Sequence, residues 1–346
     1  MLSCFCVCPD HLADRLNMDL SQTHGHTMAE SLKAILLPYQ ERIERELRQF
    51  ARFPGPASLR DPISYFFTLP GKRIRTLITL ITAEQFCSDY EDAVPAAVAI
   101  EVLHDFTLVH DDIMDDDHYR RGCETVHTKW DVGTAILSGD AMVALAYRKL
   151  LTSQSPHLIA MMEAFTDGMY VVCEGQARDK EFETRDNVSL DDYLPMISQK
   201  TARLFALAFE LGYLSCSSTT DLVGALKEMG EHIGLAYQVR DDLLDFVADE
   251  KILGKDIGSD WRRKKKTYIT IGYRQKAKVN PQLPQDLFEL PAFSAARDAV
   301  TQAGILDEAQ RFIQERLDKA KAIAVSINFA HPVFNHLLMF LAERSY

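Results

Sequence analysis

The chain has 346 residues, with 38 basic residues against 50 acidic ones and a net charge of −12 at neutral pH. Hydrophobic residues make up 47% and charged residues 25%, the balance of an ordinary globular protein, which excludes disordered, collagen-like and low-complexity classes. A chain this acidic lacks the basic face that nucleic acid requires, so any anionic ligand must be held by local basic clusters or by metal ions. Only 16 Gly and 13 Pro interrupt it, which favours long helices.

The seven cysteines are odd in number and spread through a large chain, which argues against a disulfide scaffold. Cys4, Cys6 and Cys8 lack a Cys-x-x-Cys pair or a histidine at zinc spacing. The apolar start is too short for a signal peptide, no stretch reaches the roughly 18 apolar residues of a membrane span, and the expected location is cytoplasmic. Residues 1–28 read as a disordered tail, with Met18 and Met28 as alternative starts, and 29–346 as a single all-helical domain. In chain order, Gly71-Lys72-Arg73-Ile74-Arg75 opens a helix after Pro70. Helical patterns then run from Ala96 to Asp116, Ser138 to Leu151, Leu158 to Phe182, Leu190 to Leu211 and Leu222 to Val247, with two more near the C-terminus. Ser189 and Asp192 form a capping-box pattern. Pro281, Pro284 and Pro291 mark a surface loop. No alternating run calls for a sheet.

Residues 111–117 read Asp-Asp-Ile-Met-Asp-Asp-Asp. On a helix Asp111 and Asp115 share a face, and Asp112 pairs with Asp116 in the same way. Like charges at about 4 Å repel by about 1 kcal/mol in water and about 4 at intermediate dielectric, so the working state needs a cation there. An EF-hand is excluded, since no register offers Asp or Asn at positions 1, 3 and 5 with Gly at 6. One acidic run alone is an ordinary solvated helix end. The spacing recurs, however, as Asp241-Asp242-Leu243-Leu244-Asp245 at the end of another apolar helix. Two such helices facing across a bundle would bind hard cations, and Mg²⁺ prefers carboxylate oxygens and shares its sphere with phosphates. Basic groups flank both runs: Lys72, Arg73 and Arg75; Arg120 and Arg121; Lys200 between the runs; and Lys255 and Arg262 to Lys266 after the second. Together they read as a phosphate site beside a metal site.

These motifs, in this order, resemble those of the trans-type (head-to-tail) isoprenyl diphosphate synthases, most like the geranylgeranyl and polyprenyl members, over roughly residues 35 to 270. Gly71 to Arg75 is similar to the isopentenyl diphosphate motif, with Pro70 in place of the first of two glycines. Glu101 to Asp115 is similar to the first aspartate-rich motif, with His104 at the isopentenyl-binding histidine. Arg120-Arg121-Gly122, Gly175-Gln176, Lys200-Thr201, Gln238 with Asp241, Asp242 and Asp245, and Lys255 with Asp260 and Lys265 complete the set. The resemblance implies an all-α bundle with a deep central cavity, usually a homodimer. It implies three Mg²⁺ on Asp111, Asp112, Asp115, Asp241 and Asp245. Arg120, Lys200 and Lys255 would neutralise departing pyrophosphate, and Lys265 would join them in binding. Thr201 and Gln238 would stabilise an allylic cation. Gly71, Lys72, Arg75, His104 and Arg121 would hold isopentenyl diphosphate. Helix phase independently puts His104, Thr107, Leu108, Asp111 and Asp115 on one stripe.

Three rivals are weaker. Glu101-x-x-His104 and Glu124-x-x-His127 fit a di-metal carboxylate bundle, but that leaves Asp-Asp-x-x-Asp unexplained. A terpene cyclase usually carries a different second metal motif and lacks an isopentenyl site. A non-catalytic subunit of a heteromeric synthase tends to lose one Asp motif. His110 and His127 read as structural. Phe106, about 7.5 Å before Asp111 along the axis, lies with Val102, Val109 and Ile113. Helix phase favours core packing there, whereas the resemblance makes Phe106, with the small Thr107 beside it, the floor that limits product length. That combination resembles the type making C20 geranylgeranyl diphosphate, with C15 farnesyl diphosphate or longer products as alternatives.

Overall fold

The computed structural model describes residues 25–87, 89–247 and 258–342, with side chains from Leu36 onward. Its helices are α1 (Gly25–Phe50), α2 (Ala57–Thr68), α3 (Ile74–Cys87), α4 (Val94–Met114), α5 (Val132–Leu150), α6 (Leu158–Thr184), α7 (Leu190–Ile197), α8 (Arg203–Leu214), α9 (Val223–Val247), α10 (Tyr268–Ala277), α11 (Phe293–Gln302), α12 (Ile305–Ser326) and α13 (Pro332–Ala342). The all-helical expectation holds. The tail reading to residue 28 falls mostly outside the described residues, and α1 already begins at Gly25.

Helix α8 is the axis of the bundle. Every residue from Leu204 to Leu214 is buried, as expected of a helix apolar on all sides. It packs against α3, α4, α6 and α9, while α4 lies along α5 and α9 along α12. Helix α6 buries Met161, Ala164, Phe165, Gly168, Val172 and Gly175, a spacing of three and four that sets one face inward. The stretch Glu91–Met114 is long and apolar enough to cross a bilayer, yet 72% of its most apolar window is buried in the bundle. The Ser189–Asp192 capping box is present at the start of α7.

Four local features differ from the sequence reading. The helix after Pro70 starts at Ile74, not Gly71, because Arg73 takes a positive φ of 49° that cannot continue it. A short antiparallel hairpin pairs Tyr119 with Glu124 and Arg120 with Cys123. Its two central residues, Arg121 and Gly122, both have positive φ, which the tightest hairpin turn requires. Two-residue strands are too short to show alternation. Third, the helical run from Leu190 is interrupted by a π-helical segment, Ser198–Ala202. Fourth, Cys87 and Cys216, 129 positions apart, are joined by a disulfide with Cα atoms 6.1 Å apart. It ties the ends of α3 and α8. Cysteine count alone does not reveal this pair.

Candidate active site

Helix α4 carries the first carboxylates. Val102, Phe106 and Val109 are buried in the core, whereas His104, Thr107, Leu108, Asp111 and Asp115 are all half-buried. The stripe deduced from helix phase therefore faces a solvent-reached interior. Burial raises the pKa of Asp111, Asp115 and Asp179 add to the rise, and Lys200 and Arg120 oppose it. Asp112 is buried, and its Oδ1 accepts from Arg120 Nε at 2.7 Å and Nη2 at 2.6 Å. Its Oδ2 is buried without a partner. Asp115 ends the helix. Burial raises its pKa, but Lys265 Nζ at 3.0 Å more than reverses this and the net shift is downward.

Helix α9 carries the second set. Asp241 is exposed. Asp242 is buried and accepts from Tyr193 Oη at 2.5 Å, Gln238 Nε2 at 3.0 Å and the Tyr268 backbone N–H at 2.9 Å. Burial lifts its pKa to about 6. Asp245 accepts from the backbone N–H of Ser259 at 3.1 Å and of Asp260 at 3.0 Å, which ties the end of α9 to these two residues. Burial and the neighbouring Asp245 push Asp260 well above the usual carboxylate range. Further on, Lys265 reaches Asp115 and Arg263 pairs with Asp117. These two ion pairs latch the segment Arg263–Lys265 onto the first motif. Lys255 lies outside the described residues.

Lys200 and Thr201 sit on the π-helical segment, a distortion that recurs at functional sites. Two glycines allow its placement. A Cβ at Gly175 of α6 would stand 2.3 Å from Lys200 N, and one at Gly234 of α9 would stand 2.4 Å from Ala202 Cα. The segment is thus gripped between two helix backbones. Lys200 Nζ donates to Asp179 at 2.6 Å. Burial lowers its pKa, but Asp111, Asp179 and Asp115 together raise it. Thr201 Oγ1 donates to Gln238 Oε1 at 2.8 Å. With Gln238 Nε2 given to Asp242, the amide orientation is fixed.

The basic residues separate into two roles. Arg73 turns away from the site into a buried network with Glu101 Oε1 at 2.9 Å and Asp105 Oδ2 at 3.4 Å. Glu101 Oε2 accepts from Thr76 Oγ1 at 2.6 Å, so both its oxygens are committed and the di-metal carboxylate reading loses a ligand. Arg75, by contrast, is buried with Nε unpartnered and its guanidinium 4.8 Å from the Phe205 ring. Arg121 donates to Pro70 O at 2.5 Å, beside Gly71. Burial, then Arg75 and Arg121, drive the pKa of His104 well down. His104 therefore sits in a cationic neighbourhood made by Arg75 and Arg121, on which Glu101 and Asp105 also act, and an anion there would be favoured. Lys72 Nζ lies 5.1 Å from the centre of the Phe340 ring, and the Arg240 guanidinium stacks on the same ring at 4.6 Å.

Asp179, Phe340 and Arg240 do not stand out in the sequence. Asp179 comes four residues after Gly175, one turn along the same face of α6, and that offset is a usable signal. Phe340 arrives from the C-terminal helix α13, packed on α1 and α3, and nothing local in the sequence announces it. Phe106 is buried, with its ring edge-on to His110 at 4.8 Å between centroids. Thr107 Oγ1 donates to His104 O at 2.7 Å.

The chain is similar to known proteins over most of its length. Over 211 residues, the chain is 44% identical to a geranylgeranyl diphosphate synthase of Sulfolobus acidocaldarius, covering 60% of this chain and 64% of that enzyme. It is 33% identical over 345 aligned positions to a geranylfarnesyl diphosphate synthase of Natronomonas pharaonis, covering 92% of this chain and 100% of the other. The fold superposes on a geranylgeranyl pyrophosphate synthetase from Pyrococcus horikoshii with a TM-score of 0.82, at 32% identity, over 91% of this chain and 99% of that one. A family model for polyprenyl synthetase matches residues 56–299, and the chain belongs to that family.

Proposed function

We propose that the chain condenses isopentenyl diphosphate with an allylic diphosphate, releasing pyrophosphate and extending an all-trans chain to C20. The carrying observation is the adjacency of two opposed electrostatic fields. A carboxylate cluster on α4 and α9 adjoins a cationic group of Arg75 and Arg121 around His104, with Arg75 Nε buried and without a partner. One suits cations that escort a diphosphate; the other suits a diphosphate directly.

The donor set fits Mg²⁺. It is made of carboxylate oxygens without thiolate or imidazole, and Asp112 Oδ2 is buried without a protein partner. Asp111, Asp112, Asp115, Asp241 and Asp245 would hold the ions, three by the family resemblance. When bound, Mg²⁺ neutralises charge on the leaving pyrophosphate. The protein does the rest. Lys200 and Arg120 sit beside Asp111 to meet the allylic diphosphate, with Lys265 at Asp115. The allylic C–O bond breaks, its electron pair leaving with the pyrophosphate. The Thr201 hydroxyl and Gln238 carbonyl, fixed by their hydrogen bonds, present oxygen dipoles to the cation. Lys72, Arg75, His104 and Arg121 orient isopentenyl diphosphate so that its double bond supplies the pair for the new C–C bond. The proton then lost passes to pyrophosphate, so no side-chain base is required.

Phe106, buried beneath the stripe and propped by His110, is the floor that ends growth at C20. A homodimer is supported by exposed apolar groups on α5 and α6, among them Leu137 (62% exposed) and Ile159 (77%); Ile159 also lines an open groove of about 620 Å³ with Leu151, Leu158, Met162, Glu163, Thr166 and Asp167. The test is to incubate the full chain with Mg²⁺, isopentenyl diphosphate and each short allylic diphosphate, and to separate products by chain length. A dominant C20 product is expected. C15 or C25 as the end product overturns the chain-length assignment, and cyclic hydrocarbons overturn the condensation itself.

A further inference from the structure

In sequence alone His127 reads as structural, but folding changes its surroundings. The Thr125 backbone N–H donates to His118 O at 3.0 Å, closing the base of the hairpin that carries Arg120 and Arg121. This brings His118 beside the short helical turn Val126–Lys129. Asp116, with a φ of 53°, turns back from the end of α4 toward the same place. One nitrogen of each imidazole and one oxygen of Asp116 come within 4.8 Å of one another. Each ring is oriented through Nδ1, His118 by Thr128 Oγ1 at 3.2 Å and His127 by Thr125 Oγ1 at 3.3 Å. A hydrogen-bond partner on the other ring nitrogen fixes the orientation of a metal-binding histidine, and the threonine hydroxyls stand in that position here. His127 Nε2 is shielded from water and has no hydrogen-bond partner.

We propose that Asp116, His118 and His127 form a binding site for a borderline divalent cation of the Zn²⁺, Co²⁺ or Ni²⁺ type, separate from the Mg²⁺ ligands. Two imidazoles and one carboxylate suit such ions, whereas Mg²⁺ prefers oxygen alone. Metal–ligand bonds of about 2.0–2.2 Å in a tetrahedron require the three atoms to draw closer than 4.8 Å. Asp116 and His118 are exposed side chains that can rotate inward. Field favours the ion too. The C-terminal end of α4 is the negative end of its dipole, and Asp112 and Asp117 lie near it. Asp117 is occupied by Arg263 and does not compete as a ligand. An ion bound here would cross-link the end of α4, with its Mg²⁺ ligands, to the base of the hairpin bearing Arg120 and Arg121.

The test strips the full chain with chelator, dialyses it against Zn²⁺ in excess Mg²⁺, and measures bound zinc per chain by atomic emission. Wild type should retain one zinc more than Asp116→Asn, His118→Ala or His127→Gln, and equal zinc to His336→Ala, a half-buried histidine elsewhere. Zn²⁺ should also raise the melting temperature of wild type but not of the three site variants, each checked by circular dichroism to be folded. No zinc on wild type, or the same zinc on all variants, overturns the site. Condensation by His118→Ala in Mg²⁺ alone should match wild type, so the outcome is independent of the proposed reaction.

Discussion

Replacing Gly175 by alanine tests whether catalysis depends on where the π-helical segment sits. The added methyl would meet Lys200 N at 2.3 Å, Lys200 Cα at 2.7 Å and Gln199 C at 2.8 Å. Carbon contacts normally settle at about 3.5–4.0 Å, so one backbone must retreat by about 1 Å. All three clashing atoms are backbone, and no side-chain rotation can relieve them. Overpacking of this kind costs about 1–3 kcal/mol, offset by up to about 1 kcal/mol of helix propensity gained. The net loss leaves the bundle folded. A shift of about 1 Å in Lys200 and Thr201, however, is enough for a roughly 100-fold loss of rate. Gly224→Ala is the control, because a methyl added there on α9 would meet nothing within 4 Å. Steady-state incorporation of isopentenyl diphosphate, with thermal melts of both variants, separates the effects. Gly175→Ala should melt cooperatively and turn over slowly, while Gly224→Ala keeps wild-type turnover. Wild-type kcat in folded Gly175→Ala would refute the argument that this contact sets the catalytic geometry.

Other outcomes follow from the same structure. Asp111→Ala or Asp241→Ala should abolish turnover with little loss of stability, and relief of repulsion at Asp111 can raise the melting temperature; a large stability loss with retained activity would make them structural. Lys72→Ala should raise KM for isopentenyl diphosphate far more than for the allylic substrate; the reverse would exchange the two diphosphate sites. Phe106→Ala should lengthen the product while preserving condensation, and unchanged length in a folded, active variant would return Phe106 to the core. Burial, with Glu101 repulsion and despite Arg73, raises Asp105 to about 7. Its folded pKa thus exceeds the unfolded value of about 3.9, the native state holds the extra proton, and stability from this group is lost as pH rises between those values. Asp105→Asn should therefore gain on wild type from pH 5 to 7, by up to about 1.4 kcal/mol per pH unit; parallel stability profiles would contradict the assignment.

Much of the fold was legible because apolar periodicity reports burial directly. The long helices α4, α6 and α9 follow from it, and the Ser189 cap follows from the Ser-x-x-Asp spacing. The two Asp motifs were legible because their spacing is local. What stayed hidden depends on proximity between distant positions. Cys87 meets Cys216 only after α3 and α8 pack. Asp179 reaches Lys200 only because Gly175 admits a π-helical turn, which has no periodic signature. Phe340 joins Lys72 and Arg240 only through the docking of α13. Arg73 and Arg75, two residues apart in one motif, part company because Arg73 has a positive φ, sending one into an internal ion network and leaving the other in the cationic pocket.

The central claim is metal-dependent head-to-tail condensation at the paired carboxylates. It is tested most directly by following isopentenyl diphosphate incorporation by the purified full chain, given an allylic diphosphate, with Mg²⁺ and again in excess chelator. The account predicts a longer allylic diphosphate and free pyrophosphate with Mg²⁺, and neither in chelator. Product formation that persists at an undiminished rate in chelator, or no condensation with Mg²⁺ and any short allylic diphosphate, would contradict it.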